Sequence, residues 1–179
     1  SANQQGGSND GLGITQPAAA ENSLLAAPKF RILYAGRMGR AHSIDNVLSA
    51  AKAISKQQPD IEFVFAGDGQ GFEKITEFRD RYNLENIKLL PRQPEQHLKM
   101  LLESADVHLM TMKANAAGKL VPCKFYSALA VARPCIFVGP AACEVAKVIE
   151  DFGCGSVVDP SDVDGLVAYI MHYRSNSNL

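Results

Sequence analysis

The stretch that decides the fold is KFRILYAGRMGRAHSIDNVLSAAKAISKQQPDIEFVFAGDGQG, residues 29–71. It opens on a β-type apolar run, 29–36, closed by Gly36. Residues 43–58 follow with Ile44, Val47, Leu48, Ala51 and Ile54 at helical spacing. Ser43 has the chemistry of an N-cap and Pro59 that of a stop. A second run, 61–67, is almost continuously apolar and again ends on glycine, as a strand covered on both faces must be.

The same alternation continues to the end of the chain. Strands are expected over 86–90, 106–112, 134–138 and 155–159. Helices are expected over 71–84, 94–105, 122–132, 142–153 and 160–174, with Pro94, Pro122 and the Pro160–Ser161 pair at helix heads. Strands separated by helices pair in parallel through right-handed crossovers. The fold class is therefore α/β, a doubly wound parallel six-stranded sheet of Rossmann-like type. Residues 29–174 form this domain, 1–28 read as a linker or tail rich in Gln, Gly, Ser and Asn, and 175–179 as a tail.

Composition narrows the partners. The chain has 179 residues, 46% of them hydrophobic, so a packed core is within reach. A net charge of −1 argues against a nucleic-acid grip spread over the domain but not against a local phosphate site. No apolar run approaches the length of a membrane span, and the polar, Gly-rich start does not read as a signal peptide. Cys123, Cys135, Cys143 and Cys154 have no zinc-type spacing and are expected to be reduced thiols, with Cys135 in the core; no metal is expected. A cytoplasmic location follows from that reading.

In doubly wound sheets ligands bind beyond the carboxyl ends of the strands. The first such loop holds Gly36, Arg37, Gly39, Arg40 and His42 ahead of a helix start, which suits a diphosphate. It is not a dinucleotide fingerprint, because Met38 and Ala41 stand where glycines would be needed. The second loop, Gly67-Asp68-Gly69-Gln70-Gly71, fits a sharp turn that Asp68 would cap. The third, 113–124, carries Lys119 and places Lys124 in a first helical turn, where a cation is favoured only if an anion sits beside it. Each loop taken alone is equally a turn with solvated charges. His97, His108 and His172 read as packing or surface residues.

ILYAGRMGRAHSIDNVLSAA (32–51), EFVFAGDGQG (62–71), NIKLLPRQPEQHLKMLLESADVHLMTM (86–112), LVPCKFYSALAVARPCIFVGP (120–140) and EVAKVIEDFGCGSVVDPSDVDGLVAYI (144–170) occur in that order. Together they resemble the C-terminal, donor-binding domain of a family 4 glycosyltransferase of the GT-B fold, in the subgroup that makes bacterial surface polysaccharides. The resemblance covers about 30–172 in one collinear stretch. It implies a retaining transfer of a hexosyl-type sugar from a nucleotide-diphosphate sugar to a glycan or lipid-linked acceptor. No cofactor or metal is implied, and a UDP-sugar is preferred to a GDP-sugar.

By the same resemblance Gly36, Arg37, Gly39, Arg40, His42, Lys119 and Lys124 would bind the diphosphate. Gly67, Asp68, Gly69, Arg92, Gln93, Pro122 and Ser127 would contact nucleoside and sugar. No catalytic residue is assigned. The sequence departs from the family pattern where a pair of glutamates is common, since Lys119 and Ser127 occupy those positions. The resemblance also implies a separate N-terminal acceptor-binding domain as partner, an isolated chain without activity, and peripheral association of the full enzyme with the inner membrane face. The alternative is a non-catalytic nucleotide-sugar binding module or partner subunit.

Overall fold

The computed structural model describes residues 29–39, 43–113 and 123–177, apart from the side chains of 123 and 124. Its strands are β1 (Phe30–Ala35), β2 (Ile61–Ala66), β3 (Ile87–Leu90), β4 (Val107–Thr111), β5 (Cys135–Val138) and β6 (Gly155–Val158). Between and after them run α1 (Asp45–Ile54), α2 (Gln70–Tyr82), α3 (Glu95–Glu103), α4 (Cys123–Ala130), α5 (Glu144–Phe152) and α6 (Val163–Ser175). All six strands are parallel, in the order β3-β2-β1-β4-β5-β6. The chain winds outward from β1 in one direction and from β4 in the other, so the order reverses between these two central strands.

Two layers of helix cover the sheet. On one face Val47, Leu48 and Ile54 of α1, Ile75 of α2, and Leu166 and Ile170 of α6 pack on Ile32, Tyr34, Phe63 and Phe65. On the other, Leu101 and Leu102 of α3 meet Leu33 and Val64, while Phe125 of α4 and Val145 and Ile149 of α5 meet Met110, Cys135 and Phe137. Every residue of β2 and of β5 is buried. That is why those two runs carry no polar alternation. Each large side chain so enclosed contributes roughly 1.5–3 kcal/mol relative to exposure.

Helix ends correct several local expectations. Ser43 does not cap α1: the helix begins at Asp45, Ile44 occupies the cap position, and no side chain caps it. The regular helix ends at Ile54 and gives way to turns before Pro59. At α6 the cap is Asp162, whose Oδ1 accepts from the Gly165 amide at 2.8 Å, while Ser161 is held in a turn by Asp159. At α2 the cap position is held by Gly69, with no side-chain cap bond. A capping position depends on where the preceding loop enters, which one-dimensional spacing does not specify.

Candidate functional site

The loops after β1 and β2 interlock at the carboxyl edge of the sheet. The Gly36 amide donates to the Ala66 carbonyl at 2.7 Å and the Met38 amide to the Asp68 carbonyl at 2.8 Å. The Gly71 amide returns a bond to the Met38 carbonyl at 3.2 Å. Gly67 lies at φ +150°, and a Cβ there would overlap the Gly36 carbonyl oxygen, so glycine is required for the two loops to touch. The Met38 side chain is buried beneath Gly71. Tyr34, also buried, donates its hydroxyl to the Arg37 carbonyl at 3.1 Å, and burial pushes its phenol well above the ordinary range, so it stays protonated.

A cavity of about 480 Å³ opens beside these loops and runs onto β1, β2 and β4, whose Leu33, Ala66 and His108 line it. Gly36, Arg37, Gly67, Asp68, Arg92, Gln93 and Ser127 line it, so segments after β1, β2 and β3 and one position on α4 converge there. The floor is apolar, made by Leu33, Leu98, Leu101, Leu102 and Met110. The rim is charged. Arg37 Nε stands 3.8 Å from Asp68 Oδ1, with the two side chains 83% and 47% exposed. A pair so open is worth roughly 0–1 kcal/mol and leaves the guanidinium accessible to an anion. Gln93 Nε2 donates to the Pro91 carbonyl at 2.9 Å, which fixes the turn that carries Arg92.

Gly39 and Gly69 do not line the cavity; Gly39 is exposed, and Gly69 holds the tight turn at φ +110° against Met38. Arg40, His42, Lys119 and Pro122 lie outside the described residues, and Lys124 sits in the first turn of α4 with its side chain outside the description. The cavity also includes Glu95, Leu98 and His108, which loop-by-loop reading does not single out. Glu95 and Leu98 lie on α3, outside the strand-exit loops.

His108 is buried in β4, where its Nε2–H donates to the Leu102 carbonyl at 3.1 Å. Burial lowers its pKa, the Leu102 bond opposes that, and nearby Arg133 adds to the lowering. A neutral imidazole held in one tautomer suits a wall residue. Among the described residues no cluster of three or more His, Cys, Asp or Glu side chains is placed to hold a metal ion.

The arrangement offers a diphosphate glycine-rich backbone at two strand ends and an exposed guanidinium. It offers a nucleoside an apolar floor with polar groups along one side.

The chain is similar to known proteins over most of its length. The family model described as glycosyl transferases group 1 matches residues 16–179. Over 140 residues the chain is 32% identical to the putative colanic acid biosynthesis glycosyl transferase WcaI of Escherichia coli, covering 78% of this chain and 34% of that protein. It is 27% identical over 135 residues to the probable glycosyltransferase WbjE of Pseudomonas aeruginosa, covering 75% of this chain and 33% of that protein. The chain thus spans about a third of the length of these relatives. Among solved structures, HepE of Anabaena in complex with UDP superposes with a TM-score of 0.71 at 16% identity, over 91% of this chain and 44% of that one. That likeness concerns the fold.

Proposed function

The chain belongs to the group 1 glycosyl transferases, and on that premise we propose that it is the donor-binding half of a retaining enzyme of surface-polysaccharide assembly. It would take a nucleotide-diphosphate sugar, UDP-linked in preference to GDP-linked, and pass a hexosyl-type group to a glycan or lipid-linked acceptor. The observation that carries this reading is the convergence of Gly36, Arg37, Gly67, Asp68, Arg92 and Gln93 on one cavity at the strand-order reversal. A departing nucleoside diphosphate gains negative charge in the transition state, and a preorganised cation such as Arg37 stabilises it. Arg40, His42, Lys119 and Lys124 are proposed as further diphosphate partners, and Ser127 and Pro122 as contacts on the sugar side.

The nucleotide sugar is substrate, and no cofactor of the protein's own is called for. The acceptor would be held by the remaining part of a longer polypeptide, so the isolated chain is expected to bind donor without turning it over. The full enzyme is placed at the inner membrane face. Peripheral attachment is the mode proposed; among the described residues no helix is long and apolar enough to cross a membrane.

Calorimetric titration with UDP, GDP and ADP at low and moderate salt tests the reading. Saturable binding of one diphosphate is expected, weakened about tenfold by Arg37→Ala, as for loss of one charge-assisted bond. Lys124→Ala should weaken it similarly. Unchanged affinity removes the substituted residue from the site, and no binding to any diphosphate by the full-length protein overturns the proposal.

A second reading, a non-catalytic nucleotide-sugar module, is favoured by Ser127 at a position on the cavity wall where the family commonly has an acid. Sugar transfer by the full-length protein would exclude it.

A further inference from the structure

We propose that Cys135 and Cys154 form a reversible oxidation site, in which a peroxide closes the two thiols into an intramolecular disulfide joining β5 to the entrance of β6. This is independent of the donor cavity. Cys135 pairs with Gly155 in the parallel ladder, so Cys154 stands one residue off its partner. An interstrand spacing of about 4.8 Å and a one-residue rise of about 3.3 Å put the two Cα atoms roughly 6 Å apart, inside the span that a disulfide bridges. The Cys135 amide donates to the Cys154 carbonyl at 3.2 Å, and its Sγ approaches the same oxygen at 3.6 Å.

Gly155 makes the approach possible. A Cβ at that position would lie 2.6 Å from Cys135 Sγ, so the thiol occupies space that any other residue would fill. Cys154 lies in the bend before β6, outside the alternation of the strand, and its side chain packs against the same apolar cluster as Cys135. Cys154 also lines a groove of about 230 Å³ between α4 and α5, where Tyr126, Leu129 and Phe152 are exposed. Buried cysteines usually behave as inert small hydrophobes. Here the second thiol, and an apolar opening wide enough for a small neutral oxidant, change that expectation.

The chemistry balances in two steps. The Cys154 sulfur attacks hydrogen peroxide, breaking its O–O bond, and gives a sulfenic acid and one water. Cys135 Sγ then attacks that sulfur, the S–O bond breaks, and a second water leaves with the Cys135 proton, so two thiols are oxidised and one peroxide is reduced. Burial, and then the neighbouring Cys154, push the Cys135 thiol up to about 12. The closing step is therefore slow at neutral pH and quickens as pH rises, because the thiolate is the attacking form.

The test is non-reducing peptide mass analysis of the whole chain after treatment with hydrogen peroxide, with remaining thiols alkylated. The expected product has lost two hydrogens, links the peptides carrying 135 and 154, and returns to the dithiol with dithiothreitol. Cys154→Ser abolishes the link and Cys143→Ser leaves it intact. Cys135→Ala stops at a sulfenic acid that dimedone traps on Cys154. Matched thermal midpoints of the reduced variants show that each is folded. Oxidation that gives no bridge, or a bridge through Cys143 or Cys123 in the folded chain, overturns the proposal.

Discussion

The β1–β2 pair carries an arginine–carboxylate pair at each end, and the two differ in almost every physical respect. At the amino end Arg31 faces Glu62 in register, with Nε and Nη2 both 2.7 Å from Oε1 and side chains only 7% and 6% exposed. The Arg31 amide is held as well, donating to Asp106 Oδ2 at 2.7 Å. At the carboxyl end Arg37 and Asp68 stand 3.8 Å apart in open solvent. Enclosure makes the first pair part of the packing, since neither charge can be left alone once water is excluded. Exposure leaves the second pair exchangeable, so an incoming anion can compete for the guanidinium at small cost. The same two chemical groups serve as structure at one end of the strands and as a binding surface at the other.

The largest effect expected from breaking this contrast is at the closed end. Arg31→Met strands a buried carboxylate and should lower unfolding free energy in urea by about 3–5 kcal/mol. Adding Glu62→Leu should recover most of that loss, since a well-packed apolar pair is often as stable as a buried ionic one. If the double variant is no better than the single, Arg31 is held by packing and not by its charge.

An intermediate effect concerns His108, which is buried on β4 beside β1. Its folded-state pKa is depressed below the ordinary value near 6.5. On acidification the unfolded chain takes up the proton first, so stability is full above about pH 6.5 and falls as pH drops towards the folded pKa. The fall is at most about 1.4 kcal/mol per pH unit. His108→Gln should flatten the pH dependence of the urea midpoint between about pH 7 and 5, and an unchanged slope would place its origin in other groups.

The smallest effect belongs to the open end. Asp68→Ala should shift stability by less than about 1 kcal/mol, while removing a carboxylate that competes with an anion for Arg37 and so tightening nucleoside diphosphate binding in titration. A large stability loss would show that the exposed pair is structural after all, and the contrast between the two ends would fail.

The fold was legible because burial on both faces leaves strands such as 61–66 and 135–138 without polar alternation, and because Gly36 and Gly67 mark strand exits. Cap positions were less so: Asp162, not Ser161, heads α6. In the candidate site, residues directly after strands could be named from the sequence, because a doubly wound sheet sends every such loop to one edge. Glu95, Leu98 and His108 could not, since helix angle and strand register decide what faces the cavity. Arg31 and Glu62 lay hidden for the same reason. A charged residue inside an apolar run shows its meaning only when the neighbouring strand supplies its partner.

The bonds joining Met38 to the second loop also set a rule for how the edge can change. Because the Met38 amide and carbonyl are both committed across the gap, a residue inserted between Gly36 and Met38 or between Gly67 and Gly71 would break bonds made by both loops. Amide hydrogen exchange at Met38 and Gly71 should slow and quicken together, as in a single hinge plate.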